Sequence, residues 1–341
     1  MVEQQDLLIG IDLGTSRSAV VSNRGTRTVF ESVVAYPKDL IGVRLLGATH
    51  VVGDEALQKP YLQLNYPLKD GVIQGRSEQE RDAAQKLIEY AVSLAEPRDG
   101  DRVCAIIGVP ANASKVNQDH VLEMALQVMD IAMVVSEPFM VAYGLDQLTD
   151  CLVIDIGAGT TDLCAMKGRL PQGDDQVSLI KAGNFIDDLL CSSITSRYPD
   201  IQMTTAIARR IKEEHAFVGE PKERVEVELR EMGKPVTVDV TAEVRAACEA
   251  IVPEMVEQLE KLIRGFDPAT QETAVSNIIL GGGGSRIRGL GQMIADALSS
   301  YGDVKVSGVK DVIFTGAEGA LKLANDLPPE YWDQIGNTEL G

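Results

Sequence analysis

Asp12-Leu13-Gly14-Thr15-Ser16 and Asp155-Ile156-Gly157-Ala158-Gly159-Thr160-Thr161-Asp162 are two copies of one device. In each, a short apolar run, residues 7–11 and 151–154, enters an Asp-x-Gly turn, and a second apolar run leaves it. Such runs suit buried strands, and the glycines let the backbone come within hydrogen-bonding distance of an anion. Thr15, Ser16, Thr160 and Thr161 add hydroxyl donors at the turns. Asp12 and Asp155 would repel a polyphosphate by themselves. Beside phosphate-binding turns they make sense with a hard cation between, and Mg2+ that keeps its inner waters fits best. A single Asp-x-Gly reads as an ordinary hairpin with glycine in its turn. The repeat within one chain is what points to a triphosphate gripped from both sides.

Composition narrows the function class. A chain of 341 residues has material for about two domains. With 51 acidic against 32 basic residues its net charge is -19, which argues against a nucleic-acid surface, since that would need a basic patch. Phosphate binding must then be local, through glycine amides and a metal. Cys104, Cys151, Cys164, Cys191 and Cys248 are odd in number, lack C-x-x-C spacing and mostly lie in apolar runs, as expected of reduced cytoplasmic core thiols. Three scattered histidines suggest no zinc site. The first six residues resemble no signal peptide, no run has transmembrane length, and no N-terminal amphipathic helix is present. The expectation is a cytoplasmic protein without direct membrane insertion.

The remaining elements read as α/β. Ser77-Glu78-Gln79-Glu80 is a capping box ahead of a helix with Ala84, Leu87, Ile88, Ala91 and Leu94 inward. Residues 103–109 read as a buried strand ending at Pro110, and Ser114 caps a helix that buries Val121, Ala125, Val128 and Ala132. Residues 133–135 form a short strand. After the second hairpin the order recurs: helices over 186–197 and 204–216, a long one over 241–266 kinked or broken at Pro253, a strand over 277–280 and a helix over 286–298. Residues 34–66 look irregular, and 224–230 and 235–240 form a hairpin turning at Met232-Gly233-Lys234. Residues 336–341 read as a disordered tail.

Three further groups suit a nucleotide. Gly281-Gly282-Gly283-Gly284-Ser285-Arg286, between strand and helix, fits either a plain loop or a flat seat for a base or ribose. Arg209, Lys212 and Glu213 share one helical turn and fit either a solvated face or contacts to ribose and purine. Glu137, at a strand end before Pro138, is either a helix N-terminal acid or a carboxylate that orients and deprotonates a water for attack on a γ-phosphate.

These motifs, together with Gly53-Asp54-Glu55, residues 66–73, Gly108-Val109-Pro110 and residues 282–290, resemble in order the actin, Hsp70 and sugar-kinase superfamily. Within it, the chain is most similar to the bacterial actins that form magnetosome-organising filaments, over nearly its whole length to Pro328-Pro329-Glu330-Tyr331-Trp332. The resemblance implies an actin-like ATPase fold, α/β, with two RNase-H-like domains, each with a large and a small subdomain, around a nucleotide cleft. It places subdomain IA at 1–33, 67–139 and 311–341, IB at 34–66, IIA at 140–182 and 252–310, and IIB at 183–251. It implies that Asp12, Gly14, Thr15 and Ser16 form the first phosphate loop and Gly157, Gly159, Thr160 and Thr161 the second. Arg209, Lys212, Glu213, Gly282, Gly283, Gly284 and Arg286 would hold the adenosine of ATP or ADP. Asp12, Asp155 and Glu137 would hold Mg2+ through water, with Glu137 and Asp155 catalytic.

The implied function is a homopolymeric filament coupled to slow ATP hydrolysis, positioning magnetosomes with adaptor proteins alongside magnetosome membranes. Alternatives are a cell-shape or plasmid-segregation bacterial actin, or a non-polymerising ATPase of the Hsp70 or sugar-kinase type. A sugar kinase would want a distinct Asp base, an Hsp70 a peptide-binding domain after the nucleotide domain, and a cell-shape actin a membrane-inserting element; none is visible in the sequence.

Overall fold

The computed structural model describes residues 6–75 and 77–338. It divides into two compact units, Met1–Gln147 with Ile313–Gly341, and Leu148–Val312. In the first, β1 (Asp6–Leu13), β2 (Arg17–Ser22) and β3 (Arg27–Glu31) form an antiparallel meander. The next stretch is not irregular. β4 (Val34–Pro37), α1 (Leu40–Leu46), β5 (Val51–Val52), α2 (Asp54–Leu57) and β6 (Leu62–Asn65) build a small sheet ordered β5-β4-β6. Its strands are too short for periodicity to declare them, and their pairing carries the structure. β7 (Leu68–Lys69) and β8 (Val72–Ile73) pair beyond it.

α3 (Glu78–Ser93) starts on the expected capping box, with Ser77 Oγ accepting from the Glu80 N–H at 3.1 Å and the Ser77 N–H donating to Glu80 Oε2 at 3.0 Å. β9 (Arg102–Val109), α4 (Lys115–Ala125), β10 (Ile131–Ser136) and α5 (Glu137–Gly144) follow. α4 stops at Ala125, so Ala132 belongs to β10 rather than to a helix face. The main sheet runs β10-β9-β1-β2-β3, with β9 parallel to both β1 and β10.

The second unit repeats this plan. β11 (Thr149–Ile156), β12 (Thr161–Lys167) and β13 (Gln176–Leu179) form the meander. α6 (Gly183–Arg197), α7 (Thr205–His215), the hairpin β14 (Glu226–Glu231) and β15 (Lys234–Asp239), and α8 (Thr241–Glu249) come next. Met232 and Gly233, both with positive φ, turn the hairpin. α9 (Val252–Arg264) is separate from α8, so the long helix breaks, and Pro253 falls in the first turn of α9, where its missing N–H costs nothing.

α10 (Gln271–Val275), β16 (Ile278–Gly281), α11 (Leu290–Ala297) and β17 (Val306–Gly308) complete the unit. The helix expected from Arg286 begins instead at Leu290, after a 3-10 turn over Gly283–Arg286. The sheet order β13-β12-β11-β16-β17 matches that of the first unit strand for strand, with the same parallel and antiparallel senses. One apolar core, including Leu152, Ile154, Leu190, Ile211, Val244 and Leu259, fills the unit.

α12 (Thr315–Asp326) and α13 (Pro329–Thr338) return to the first unit. α12 packs along β1 and α5, with Gly319 against the Met140 carbonyl. α5 falls in the first unit, which ends at Gln147 and resumes at Ile313. Trp332 of α13 is buried against Cys104, Ile106, Met140 and Ala324, with its indole N–H donating to the Ala324 carbonyl at 3.4 Å. Of the expected tail, residues 336–338 are helical, and 339–341, like the N-terminal residues 1–5, lie outside the described residues.

Candidate functional site

In the first unit, Asp12 is paired with Ala19 across the hairpin and with Gly108 of β9 on its other side. The turn at Gly14, Thr15 and Ser16 is braced from behind. Buried Ser32 donates through Oγ to the Gly14 carbonyl at 2.7 Å and meets Ser18 Oγ at 2.8 Å. Thr15 Oγ1 accepts from the Gly71 N–H at 2.9 Å, which leaves the hydroxyl proton for a ligand and ties residues 66–73 to the turn.

The half-buried Asp12 carboxylate lies at the N-terminal end of α12, a position that favours negative charge. A Cβ on Gly316 would stand 2.6 Å from Asp12 Oδ2. Glu137, the first residue of α5, leaves the end of β10 one strand further along the sheet, beyond β9. Gly108 again makes the room, since a Cβ there would lie 3.3 Å from Glu137 Cγ and collide with Met140. The first unit thus sets Asp12 and Glu137 at the same ends of β1 and β10.

In the second unit, Asp155 pairs with Asp162 across the hairpin and with Gly281 of β16. The turn closes through the Gly157 N–H donating to the Thr160 carbonyl at 2.9 Å, with Gly159 and Thr160 buried within it. Thr161 differs from expectation. It is fully buried and its hydroxyl donates to the Lys181 carbonyl at 2.9 Å, so its proton is spent on holding the turn and not on an anion. Gly282, with φ 69°, carries no side chain because one would run into the Asp155 carboxylate and the Ile156 carbonyl. Gly284 packs on Ile156, whereas Gly283 and Arg286 are exposed.

The α7 residues split between two roles. Arg209 and Glu213 pair with each other at 3.3 Å across one helical turn. Lys212 turns inward, donating to the Gly183 carbonyl at 2.8 Å and pairing with Asp187 Oδ1 at 2.8 Å. Burial pushes the Asp187 carboxyl above the ordinary carboxylate range despite that partner. The first turn of α6 is in turn bound to the phosphate turn, with the Gly183 N–H on the Gly157 carbonyl at 3.1 Å and the Asn184 N–H on the Ala158 carbonyl at 2.7 Å.

Gly108, Gly316 and Asp187 were not found from sequence. The glycines act through an absent side chain, which no residue pattern announces. The Lys212 and Asp187 spacing spans two helices, and only their packing joins them. Among the described residues no group of three His, Cys, Asp or Glu is assembled to chelate a metal. Asp12 and Asp155, each next to the end of its hairpin strand, suit Mg2+, which keeps several waters and takes one or two carboxylates plus substrate phosphates. Among the described residues no helix is long and apolar enough to cross a membrane.

Residues 6–328 match the MreB/Mbl protein family. The chain is 50% identical over 332 residues to Actin-like protein MamK of Paramagnetospirillum magneticum, covering 97% of this chain and 96% of that one. Among solved structures, it is similar to a MamK double helical filament, with a TM-score of 0.93 at 49% identity over 95% of this chain and all of that one. It is also similar to a non-polymerising MamK mutant bound to AMPPNP, with a TM-score of 0.75 at 49% identity over the same shares. By sequence over nearly its whole length and by the doubled sheet plan, the chain belongs to the MreB/Mbl family of actin-like proteins.

Proposed function

We propose that this protein is an ATPase that polymerises with ATP and Mg2+ into actin-like filaments, turns them over by hydrolysis to ADP and phosphate, and so organises and positions magnetosomes. The observation that carries the reading is the doubling. Two sheets of one strand order each carry an aspartate next to the end of their central strand, Asp12 or Asp155, beside a turn of small residues and against a glycine backbone. Gly14, Thr15 and Ser16 in the first unit, and Gly157, Gly159 and Thr160 in the second, are the phosphate ligands for MgATP in this reading, with Thr161 supporting its own turn from behind. Arg209, Glu213, Gly282, Gly283, Gly284 and Arg286 receive the adenosine. Asp12, Asp155 and Glu137 would hold Mg2+ through waters, and the ion would supply neutralisation of charge on the phosphates. Glu137 orients a water and takes its proton.

The subdomains follow the actin plan, with IA and IB in the first unit and IIA and IIB in the second. The likeness to a MamK filament supports self-association, and the likeness to a MamK mutant bound to AMPPNP supports nucleotide binding. The filaments run alongside magnetosome membranes and engage adaptor proteins there. Negative-stain electron microscopy and pelleting of the purified protein test the reading. Filaments with ATP and Mg2+, and none without nucleotide, are expected. Failure to polymerise under any nucleotide condition overturns it.

A further inference from the structure

Lys212 and Asp187 lie inside the second unit, with side chains only 15% and 7% exposed. A lysine in contact with a nucleotide would keep its ammonium open to it. Here one of its three donors is already taken by the Gly183 carbonyl at 2.8 Å, and the ammonium also forms an ion pair with Asp187 Oδ1 at 2.8 Å. Gly183 is the first residue of α6 and is squeezed on three sides. A Cβ there would stand 3.1 Å from the Gly157 carbonyl oxygen, 3.2 Å from Ala158 Cα and 3.2 Å from Lys212 Nζ. The same peptide units therefore face the phosphate turn through their N–H groups and Lys212 through a carbonyl. On the other side of the turn, Thr161 Oγ1 holds the Lys181 carbonyl, two residues before Gly183.

We propose that Asp187 and Lys212 are positioning residues forming a latch that fixes α7, which carries Arg209 and Glu213, to the start of α6 and through it to the second phosphate turn. The inference rests on the nucleotide reading above and adds how the two ends of the bound nucleotide are kept in register. Asp187 supplies the charge that holds the ammonium on the carbonyl instead of letting it swing to the phosphates. With the latch in place, movement of α7 is passed to the backbone of Gly157 and Ala158. Without it, adenosine binds while the phosphate turn loses its alignment.

The test compares Asp187→Asn, Lys212→Met and the double variant in the full chain, with the parent measured first. A parent that neither binds nor hydrolyses ATP refutes the nucleotide reading itself, independently of the variants. If the parent is active, each single variant is expected to lower the turnover number about tenfold, while affinity for a fluorescent ATP analogue changes by less than about twofold. The double variant should fall no further than either single one, as residues acting as a unit do. Asp187→Glu should recover part of the turnover. The latch is overturned if the two losses multiply, if Lys212→Met alone abolishes analogue binding, or if the folded variants, checked by circular dichroism, turn over at the parental rate.

Discussion

The carboxylate of Asp12 rests against Gly316, where a Cβ would stand 2.6 Å from Oδ2. The second unit has the same arrangement in Asp155 against Gly282. In both, a strand-end aspartate is seated on backbone, which fixes its direction without adding a competing side chain. Gly316→Ala should therefore displace Asp12 as well as overpack the start of α12, costing about 1–3 kcal/mol of stability. Thermal unfolding and phosphate release should both suffer. Gly308→Ala, at a position with nothing within 4 Å of the added methyl, is the control and should change neither. Equal behaviour of the two variants would remove the argument for Gly316.

Glu137→Ala should leave nucleotide binding and assembly largely intact and slow phosphate release by about 10²–10⁴-fold, the range for removing a positioned general base. Filaments should then persist. Equal phosphate production by variant and parent at matched polymer mass would refute the role of Glu137.

Asp155→Ala removes a carboxylate that faces the Gly281-Gly282 backbone and, on the present account, supports Mg2+. Impaired hydrolysis and filaments that fail to turn over are expected. Photobleaching of a tagged variant in cells reads this directly, and fluorescence recovery at the parental rate would count against it.

Thiol chemistry checks the cores. Burial pushes the thiols of Cys104 and Cys164 up to about 12 and those of Cys151 and Cys248 up to about 11. At pH 8 these groups hold almost no thiolate, the reactive form. Cys191 is half-buried. Titration of the native protein with an aromatic disulfide should label Cys191 first, with the other four reacting only on unfolding. Rapid labelling of all five at pH 8 would mean that the cores are looser than described.

What the sequence made legible were features carried by neighbours in the chain. The two Asp-x-Gly turns, the Ser77 to Glu80 capping box and the break at Pro253 each depend on residues a turn or less apart, and each is found where expected. What it hid depends on distant packing. The strands within 34–66 span only two to four residues and exist because they pair with one another. Thr161 looks like its neighbour Thr160, and only the approach of Lys181 turns its hydroxyl inward. Gly108 and Gly316 lie far from Glu137 and Asp12 in sequence and are defined by side chains they lack.

Charge should govern assembly. A protomer of net charge -19 stacked along a filament brings like charges together. The screening length falls from about 30 Å at 0.01 M salt to about 8 Å at 0.15 M. Polymer yield should rise with KCl until specific ion pairs begin to fail. A critical concentration that is flat, or that climbs from the lowest salt, would show that the acidic surface does not limit polymerisation.

The central claim is that one chain both polymerises and hydrolyses ATP, with the second activity serving the first. Phosphate release and pelletable polymer, followed together across a series of protein concentrations with ATP and Mg2+, test it most directly. The account predicts that phosphate release stays near background below a critical concentration and then rises in proportion to polymer mass. Release that is linear in total protein with no critical concentration, or polymer that forms equally well without nucleotide, would contradict it.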